Sequence, residues 1–557
     1  MAIVRAMLVA ACAILLALPL PQPVTAQARR QVTIGMLQEP DSLNPVFYTT
    51  LAAHVTYPFW LDPQVTFDDN WNLVPVQVES VPTVKNGGIR QLPGGKMEVT
   101  WKLRDGLTWH DGRPITAQDA VFTHKMVTDE KMPPYITIVA PSVEKVEAKD
   151  NRTVVVTFKE SFAFANYGIT DNFILPKHIF ESIYGRGAQQ AREAPFGRDL
   201  QLTTGSGPFV LKEWGQGTHI VLDANPKYWR GKPGLDRVVI RFFRDISTLV
   251  ANVVSGEIDI ASPPPVGIGF AQGQQIADMV KQGRARDVRV DFRKTLVQDG
   301  LYFNTESGVL SDKRIRKAIA YSINRLAISQ SLFQNGQPPA HSFVPEDSPG
   351  FSPSITRYPY DPSRAKRILE EAGWRLGPDN TRVNARGERL ALQIMTTAGN
   401  ATRERIEQII QQQLAGVGIE LTIRNVPSRV LLSEFFYARK SPHMVLISHN
   451  GDELFLRRAY LSSNVKPVGE FSTNVVGWRN APADKLLDAI VGEPDDAKRF
   501  ALVKQFQDIW SDEVPVLLMY QWRSAATVKV GLENFKPSGT SSNPGPYNWN
   551  AFEWKWK

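Results

Sequence analysis

The sequence predicts a mixed α/β protein with two or more cores, and three observations carry that reading. Residues 406–423 form a helix–turn–strand unit. Ile406, Ile409, Ile410 and Leu414 make one apolar face, Gly416 and Gly418 end the helix, and Ile419-Glu420-Leu421-Thr422-Ile423 alternates as a strand. Residues 101–122 give the opposite order. Trp101, Leu103 and Leu107 fall at strand spacing, Asp111-Gly112 marks a turn, and Thr116 with Asp119 three residues on forms a capping box. Finally, the 557 residues are 43% hydrophobic, more than one core needs, and their 39 Gly and 39 Pro are scattered as turns rather than gathered in a linker. No internal repeat is visible.

The elements follow in order. Arg5, the apolar stretch Ala6–Leu20, the breakers Pro21 and Pro23, and the small-x-small site Ala26-Gln27-Ala28 read as a cleaved export signal over residues 1–28. Cleavage after Ala26 and after Ala28 both fit. The only cysteine, Cys12, lies inside that stretch with most of the apolar run after it, unlike a lipoprotein box, which closes its run. The mature chain is therefore expected to have no thiol chemistry and no disulfide. Val32–Leu37 reads as the first strand, followed by the turn Glu39-Pro40-Asp41-Ser42-Leu43-Asn44-Pro45. Gly205-Ser206-Gly207 leads into another strand, and Ala224-Asn225-Pro226-Lys227-Tyr228-Trp229 closes the alternating Ile220-Val221-Leu222. Asp312 caps a helix with Ile315, Ala318, Ile319 and Ile323 on one face. Asp361-Pro362 starts a further helix that Gly373 ends.

The formal charge of +8, from 64 basic and 56 acidic residues, is spread along the chain and forms no basic stripe, so nucleic acid is not an expected partner. An enzymatic reading finds little support. His110, His124, His178 and His341 occur in no H-E-x-x-H or comparable ligand spacing, no G-x-S-x-G nucleophile elbow is present, and no phosphate-binding Walker loop occurs. His110 and His178 read as structural hydrogen-bonding groups. Expected cofactors and metals: none.

Leu103–Phe122 resembles the signature run of the extracytoplasmic solute-binding proteins of family 5, the peptide- and nickel-type receptors of ABC importers. Four further stretches match that family's landmarks in the same order: the Leu43-Asn44-Pro45 turn, Gly205–Leu211, Asn225–Trp229, and Tyr302-Phe303-Asn304-Thr305 with the helix after Asp312. The resemblance runs from about residue 32 to 557. It implies a periplasmic binding protein-like α/β fold, two lobes around a hinge and ligand cleft with an extra domain inserted in the first lobe. The implied boundaries are 29–66, 205–294 and 526–557 for lobe I, 67–204 for the inserted domain, and 295–525 for lobe II. It further implies a monomeric periplasmic receptor without catalytic activity, which delivers a peptide or peptide-like solute to an ABC permease driven by a separate ATPase. A metal chelate, an opine-like solute and a sugar-derived solute remain alternative ligands. A secreted hydrolase is the rival from another class.

Relatives bind a peptide's ammonium group with an acidic residue in lobe II. The corresponding region is Met444–Glu453, which makes Asp452 the ammonium partner, Glu453 its substitute, and His449 and Asn450 neighbours in the site. The family's tryptophan and Asp-Pro are missing there. Dipeptide-selective relatives place an arginine in the loop that is Thr396-Thr397-Ala398-Gly399-Asn400 here, with no cation before Arg403. That departure argues against a dipeptide and leaves Thr397 and Asn400 as neutral hydrogen-bonding groups. Gln38 and Asp41, after the first strand, complete the expected site. Phe435, Phe436 and Tyr437 read as core.

Overall fold

The computed structural model describes residues 30–45, 50–129, 139–169, 173–264, 266–451, 453–538 and 547–557. The export signal expected over residues 1–28 lies outside them. Among the described residues no helix is long and apolar enough to cross a membrane.

Strand β1 (Gln31–Met36) is buried from Val32 onward, and helix α1 (Leu51–Trp60) follows it. The chain then builds a separate antiparallel sheet from β2 (Ile89–Gln91), β3 (Met97–Lys102), β4 (Val143–Ala148) and β5 (Thr153–Phe158), in the order β2-β3-β5-β4, with α2 (Ala117–Val127) between β3 and β4. Strand β3 ends earlier than the spacing of Trp101, Leu103 and Leu107 predicts. Gly106 turns the chain at φ +71°, so Leu107 reaches the core from a turn rather than a strand.

Helix α3 (Lys177–Tyr184) is followed by β6 (Phe209–Gly215), β7 (His219–Ala224), β8 (Arg237–Phe242) and β9 (Ile260–Ala261), then α4 (Phe270–Lys281). Two unusually long strands come next in importance: β10 (Val288–Phe303), with 16 residues, and a partner near the end of the chain. Between them lie α5 (Lys313–Ser322), α6 (Arg325–Phe333), α7 (Pro362–Glu371), β11 (Ala391–Met395), α8 (Ala401–Ala415), β12 (Glu420–Ile423), β13 (Met444–Asn450), α9 (Glu453–Tyr460), α10 (Ala481–Gly492) and α11 (Asp496–Glu513). The partner strand is β14 (Val516–Lys529), with 14 residues. The helix starts read from sequence at Asp312 and Asp361 are capped as expected, each carboxylate accepting a backbone N–H two or three residues on.

All these strands except β2–β5 join one sheet, ordered β12-β11-β13-β10-β14-β9-β1-β8-β7-β6. Its two ends have separate cores. One gathers Val32, Ile34, Ile240 and Val528 with Trp101, Phe158 and Trp554. The other end is covered on both faces, because alternate residues of β10 point to opposite sides. Leu301 and Phe303 pack with Ile319, Ile394 and Ile410, while Tyr302 packs with Leu487, Phe506 and Trp510. Only β10 and β14 run through both ends. Their pairing slips between Lys294 and Gln298 and again between Asp299 and Gly300. A bulged two-strand ribbon between two cores is a natural bending point.

The landmark residues act as fasteners. Asp119 accepts the Thr116 N–H at 2.8 Å and the Thr116 hydroxyl at 2.9 Å, and its other oxygen accepts the Lys177 N–H at 2.9 Å. Asp111 pairs with His178 Nε2 at 2.8 Å. His110 Nε2 donates to the Gly207 carbonyl at 3.0 Å and its Nδ1 accepts the Gly205 N–H at 3.2 Å, which fixes the neutral tautomer. Desolvation pushes its pKa down to about 4. A side chain at Gly205 is impossible, since its Cβ would lie 1.9 Å from the Trp60 carbonyl oxygen. Beside this turn the buried Asp62 accepts from the Tyr228 hydroxyl (3.0 Å) and Trp229 Nε1 (3.1 Å), and burial raises its pKa to about 6.

Candidate functional site

Strand register alone places the cleft. Ile34 and Gly35 pair in parallel with Ile260 and Ala261, which pair with Val528 and Thr527, so β1 and β9 both run toward the β10–β14 slip. From the other end, Asn450 of β13 pairs with Val297, and β11 lies parallel to β13. The carboxyl ends of strands from both halves therefore converge at the slip, where an open α/β sheet binds its ligands.

The first half contributes Gln38, which is exposed, and the turn after it. Asp41 is also exposed, but its carboxylate accepts the Thr50 hydroxyl at 2.7 Å and the Thr50 N–H at 3.2 Å, tying the turn to the start of α1. Glu39 is held by Trp214 Nε1 (2.8 Å) and the Gly217 N–H (3.0 Å). These bonds brace the turn and leave Gln38 at its edge.

The second half contributes the loop from β11 into α8. Thr396 is buried and donates its hydroxyl to the Leu446 carbonyl at 2.7 Å. Thr397 is half-buried and bridges Val426. Asn400 is half-buried too, and its side-chain oxygen caps α8 by accepting the Arg403 N–H at 3.1 Å. Gly399, at φ +84°, gives its N–H to Glu404 at 2.7 Å. Thus Thr397 and Asn400 lie on one loop, between β11 and α8.

Arg403 turns away from that loop. Its guanidinium is bidentate on Asp299, at 2.9 and 2.8 Å, and Asp299 also accepts the Tyr520 hydroxyl at 2.6 Å. Asp299 is completely buried and Arg403 is 6% exposed, so the charge is neutralised inside the protein. Burial, and then the Asp299 carboxylate, hold the Tyr520 phenol well above its ordinary range. Below the loop, the buried Glu407 accepts from Asn425 Nδ2 at 2.8 Å while Asn425 Oδ1 accepts the Thr396 N–H at 3.0 Å. Burial raises the Glu407 pKa to about 7. Glu407 thereby braces the 396–400 loop through Asn425.

Asp452 lies outside the described residues, and of His449, Asn450 and Glu453 only the backbone is described: the end of β13 and the start of α9. Between them Gly451 donates its N–H to the Leu296 carbonyl at 2.7 Å, and a Cβ there would lie 2.4 Å from the Phe343 carbonyl oxygen. This close approach seats Gly451 directly on the slip in β10. Local sequence patterns did not single out this floor of Leu296, Gln298 and Gly451, nor the Asn425–Glu407 brace. The available signal was the polar pair Gln298-Asp299 between the apolar residues Leu296-Val297 and Leu301-Tyr302-Phe303.

Four histidines singled out in the sequence serve structural contacts or are buried. His110 and His178 are fasteners, His341 Nδ1 accepts from Arg325 at 3.4 Å with its pKa lowered to about 4 by burial, and burial also lowers that of His124. Among the described residues no group of three or more His, Cys, Asp and Glu is placed to hold a metal ion. Phe436 is buried against Tyr302 with ring centroids 5.0 Å apart, and Phe435 and Tyr437 pack on the same core.

The profile described as bacterial extracellular solute-binding proteins, family 5, middle region, matches residues 93–467, more than half of the chain. The oligopeptide-binding protein AppA of Bacillus subtilis is 26% identical over 527 residues, covering 91% of this chain and 88% of AppA. Among solved structures, the oligopeptide-binding protein of Thermus thermophilus complexed with a pentapeptide is 27% identical. It superposes with a TM-score of 0.67 over 95% of this chain and 96% of that one. NikA of Brucella suis in complex with Fe(III)-EDTA shares the fold, at 18% identity and a TM-score of 0.76, over 95% of this chain and 100% of NikA. The chain belongs to family 5 of the bacterial extracellular solute-binding proteins.

Proposed function

We propose that this protein captures a peptide or peptide-like solute in the cleft at the β10–β14 slip and hands it to an ABC permease. It acts as an exported periplasmic receptor with no catalytic step, its signal cleaved at residue 26 or 28. The observation that carries this reading is the character of the 396–400 rim. It offers a hydroxyl, an amide and backbone groups, while the first cation after it in the chain, Arg403, is engaged by Asp299. Neutral hydrogen-bonding edges suit a main chain whose side chains vary, with bridging waters filling the remainder. The relatives known to bind oligopeptides, one with a pentapeptide, support the same class. Asp452, with Glu453, His449, Asn450, Thr397, Asn400, Gln38 and Asp41, makes up the proposed contact set, and Asp452 takes the ammonium group. Lobe I comprises 29–66, 205–294 and 526–557, the inserted domain 67–204, and lobe II 295–525. The change of core partners along β10, from Phe243 and Leu249 at Val288 to Ile319 and Ile394 at Leu301, and along β14, from Ile319 at Met519 to Val32 at Val528, supports the division between lobe I and lobe II. A rim without a free cation also suits a polar non-peptide solute such as a metal chelate, and NikA shows the fold accepting one.

Ligand-induced closure shifts an open–closed equilibrium and alters the surroundings of some of the 13 tryptophans. Titrating purified protein with pools of tri- to hexapeptides should change its tryptophan fluorescence saturably. Silence toward every pool, with a response to chelates or sugar-derived solutes, would overturn the peptide assignment.

A further inference from the structure

The covalent link between the two halves of the cleft is the β10–β14 ribbon, slipped at 294–298. A ribbon of that kind bends easily, so contacts elsewhere decide how long the cleft stays shut. One such contact is formed without any residue of β10 or β14. The loop after β5, in the inserted sheet, meets the end of α10 and the first turn of α11. The Ala163 N–H donates to the Val491 carbonyl at 2.7 Å, and the Ser161 hydroxyl donates to the Gly492 carbonyl at 2.6 Å. Gln91 Nε2, from β2 of the same sheet, donates to the same hydroxyl oxygen at 2.8 Å and so aims its proton at Gly492. The Arg499 guanidinium stands 5.5 Å over the ring of Phe164, which is wholly buried in the first core. Val491 packs against that core as well.

Each side of this contact is rigid by itself. Arg499 is anchored to Asp496 at 2.6 Å within α11, and Phe164 packs on Phe162 and Tyr167 within the inserted sheet. Both hydrogen bonds end on carbonyls at the terminus of a helix, groups that the helix leaves without partners of its own. The contact can therefore open as a unit, with water taking over both carbonyls.

We propose that the 161–164 loop is a latch, with Ser161, Ala163 and Arg499 acting as positioning residues that set how long a captured solute is retained. This rests on the receptor reading above. None of these residues belongs to the proposed ligand contacts, so the latch governs release without selecting the ligand.

The test joins the latch covalently. In a Cys12→Ala background, which leaves no native thiol, the pair Ser161→Cys and Gly492→Cys is introduced. A Cβ built at Gly492 meets only the Ser161 carbonyl oxygen, at 4.0 Å, so the second cysteine has room. The disulfide is expected to form in air, and small-angle scattering without added ligand should give a smaller radius of gyration for the oxidised than for the reduced protein. With a pool of synthetic pentapeptides as probe, oxidation should stop release, and Ser161→Ala alone should speed it by about two- to tenfold with an unchanged melting temperature. Failure of the disulfide to form, or equal radii with equal release rates, overturns the latch. If no pentapeptide binds, the scattering comparison still decides the latch, and the peptide reading fails separately.

Discussion

The connection from β3 into α2 and the connection from β11 into α8 both lead from a strand into a helix, yet their polar side chains point in opposite directions. In the first, Asp111 and Asp119 both reach the start of α3, at His178 and Lys177, and His110 reaches the 205–207 turn. Every one of these contacts lies within the first half of the molecule. In the second, Arg403 and Glu407 brace the loop from beneath, while Thr397 and Asn400 remain on the rim. The same local grammar thus serves as a fastener in one place and as a presented edge in the other. Motif spelling identifies the scaffold, and the direction of the side chains decides what binds.

That contrast can be broken by substitution, and the largest effect is expected below the rim. Arg403→Ala leaves Asp299 buried without its cation, and should cost about 3–5 kcal/mol in urea unfolding. Normal stability combined with collapsed peptide affinity would show instead that Arg403 reaches the ligand, and would erase the contrast. Glu407 comes next. Its folded pKa of about 7 stands above the ordinary 4.5, so its contribution to stability is complete below pH 4.5 and is lost as pH rises through 7. Glu407→Gln does not titrate, and its stability relative to the unmodified protein should rise by roughly 3 kcal/mol between pH 4.5 and 8. A flat difference across that range would mean that the carboxyl group is hydrated.

Fastener substitutions should lower stability and leave binding alone. Asp119→Ala removes three hydrogen bonds, for an expected loss of about 2–3 kcal/mol. His110→Ala orphans the Gly205 N–H and leaves the Gly207 carbonyl with Asn225 Nδ2 at 3.3 Å, and should cost about 1–2 kcal/mol. Purified protein that hydrolysed peptides and lost that activity on His110→Ala would revive the enzymatic rival. The smallest effect concerns the ligand's own carboxylate. Since the rim carries no free arginine, a peptide and its C-terminal amide should bind within about threefold of each other in calorimetry, well under the roughly 1.4 kcal/mol of a tenfold change. A tenfold preference for the free acid would place a cation at the ligand's end.

Much of the scaffold was legible in the sequence because its signals are local. The capping box at Thr116, the caps at Asp312 and Asp361, the glycine stops at 416 and 418 and the alternation of Val32–Met36 each depend on a few consecutive residues. The end of β3 at Lys102 was misjudged because apolar spacing continues through the Gly106 turn. The site was less legible. Asp299 and Arg403 stand 104 positions apart, and Asn425 reaches Glu407 from another strand end, so no local pattern announces either contact. Gly451 is required by the Phe343 carbonyl pressed against it, a neighbour more than a hundred positions away that no local pattern reveals.

The central claim is that the cleft at the β10–β14 slip encloses a peptide-like solute. Protein purified from its native host without refolding, then denatured and examined by mass spectrometry, tests it most directly. The account predicts released peptides of several residues, varied in side chain. A single chelate or a sugar-derived compound released in their place would contradict it.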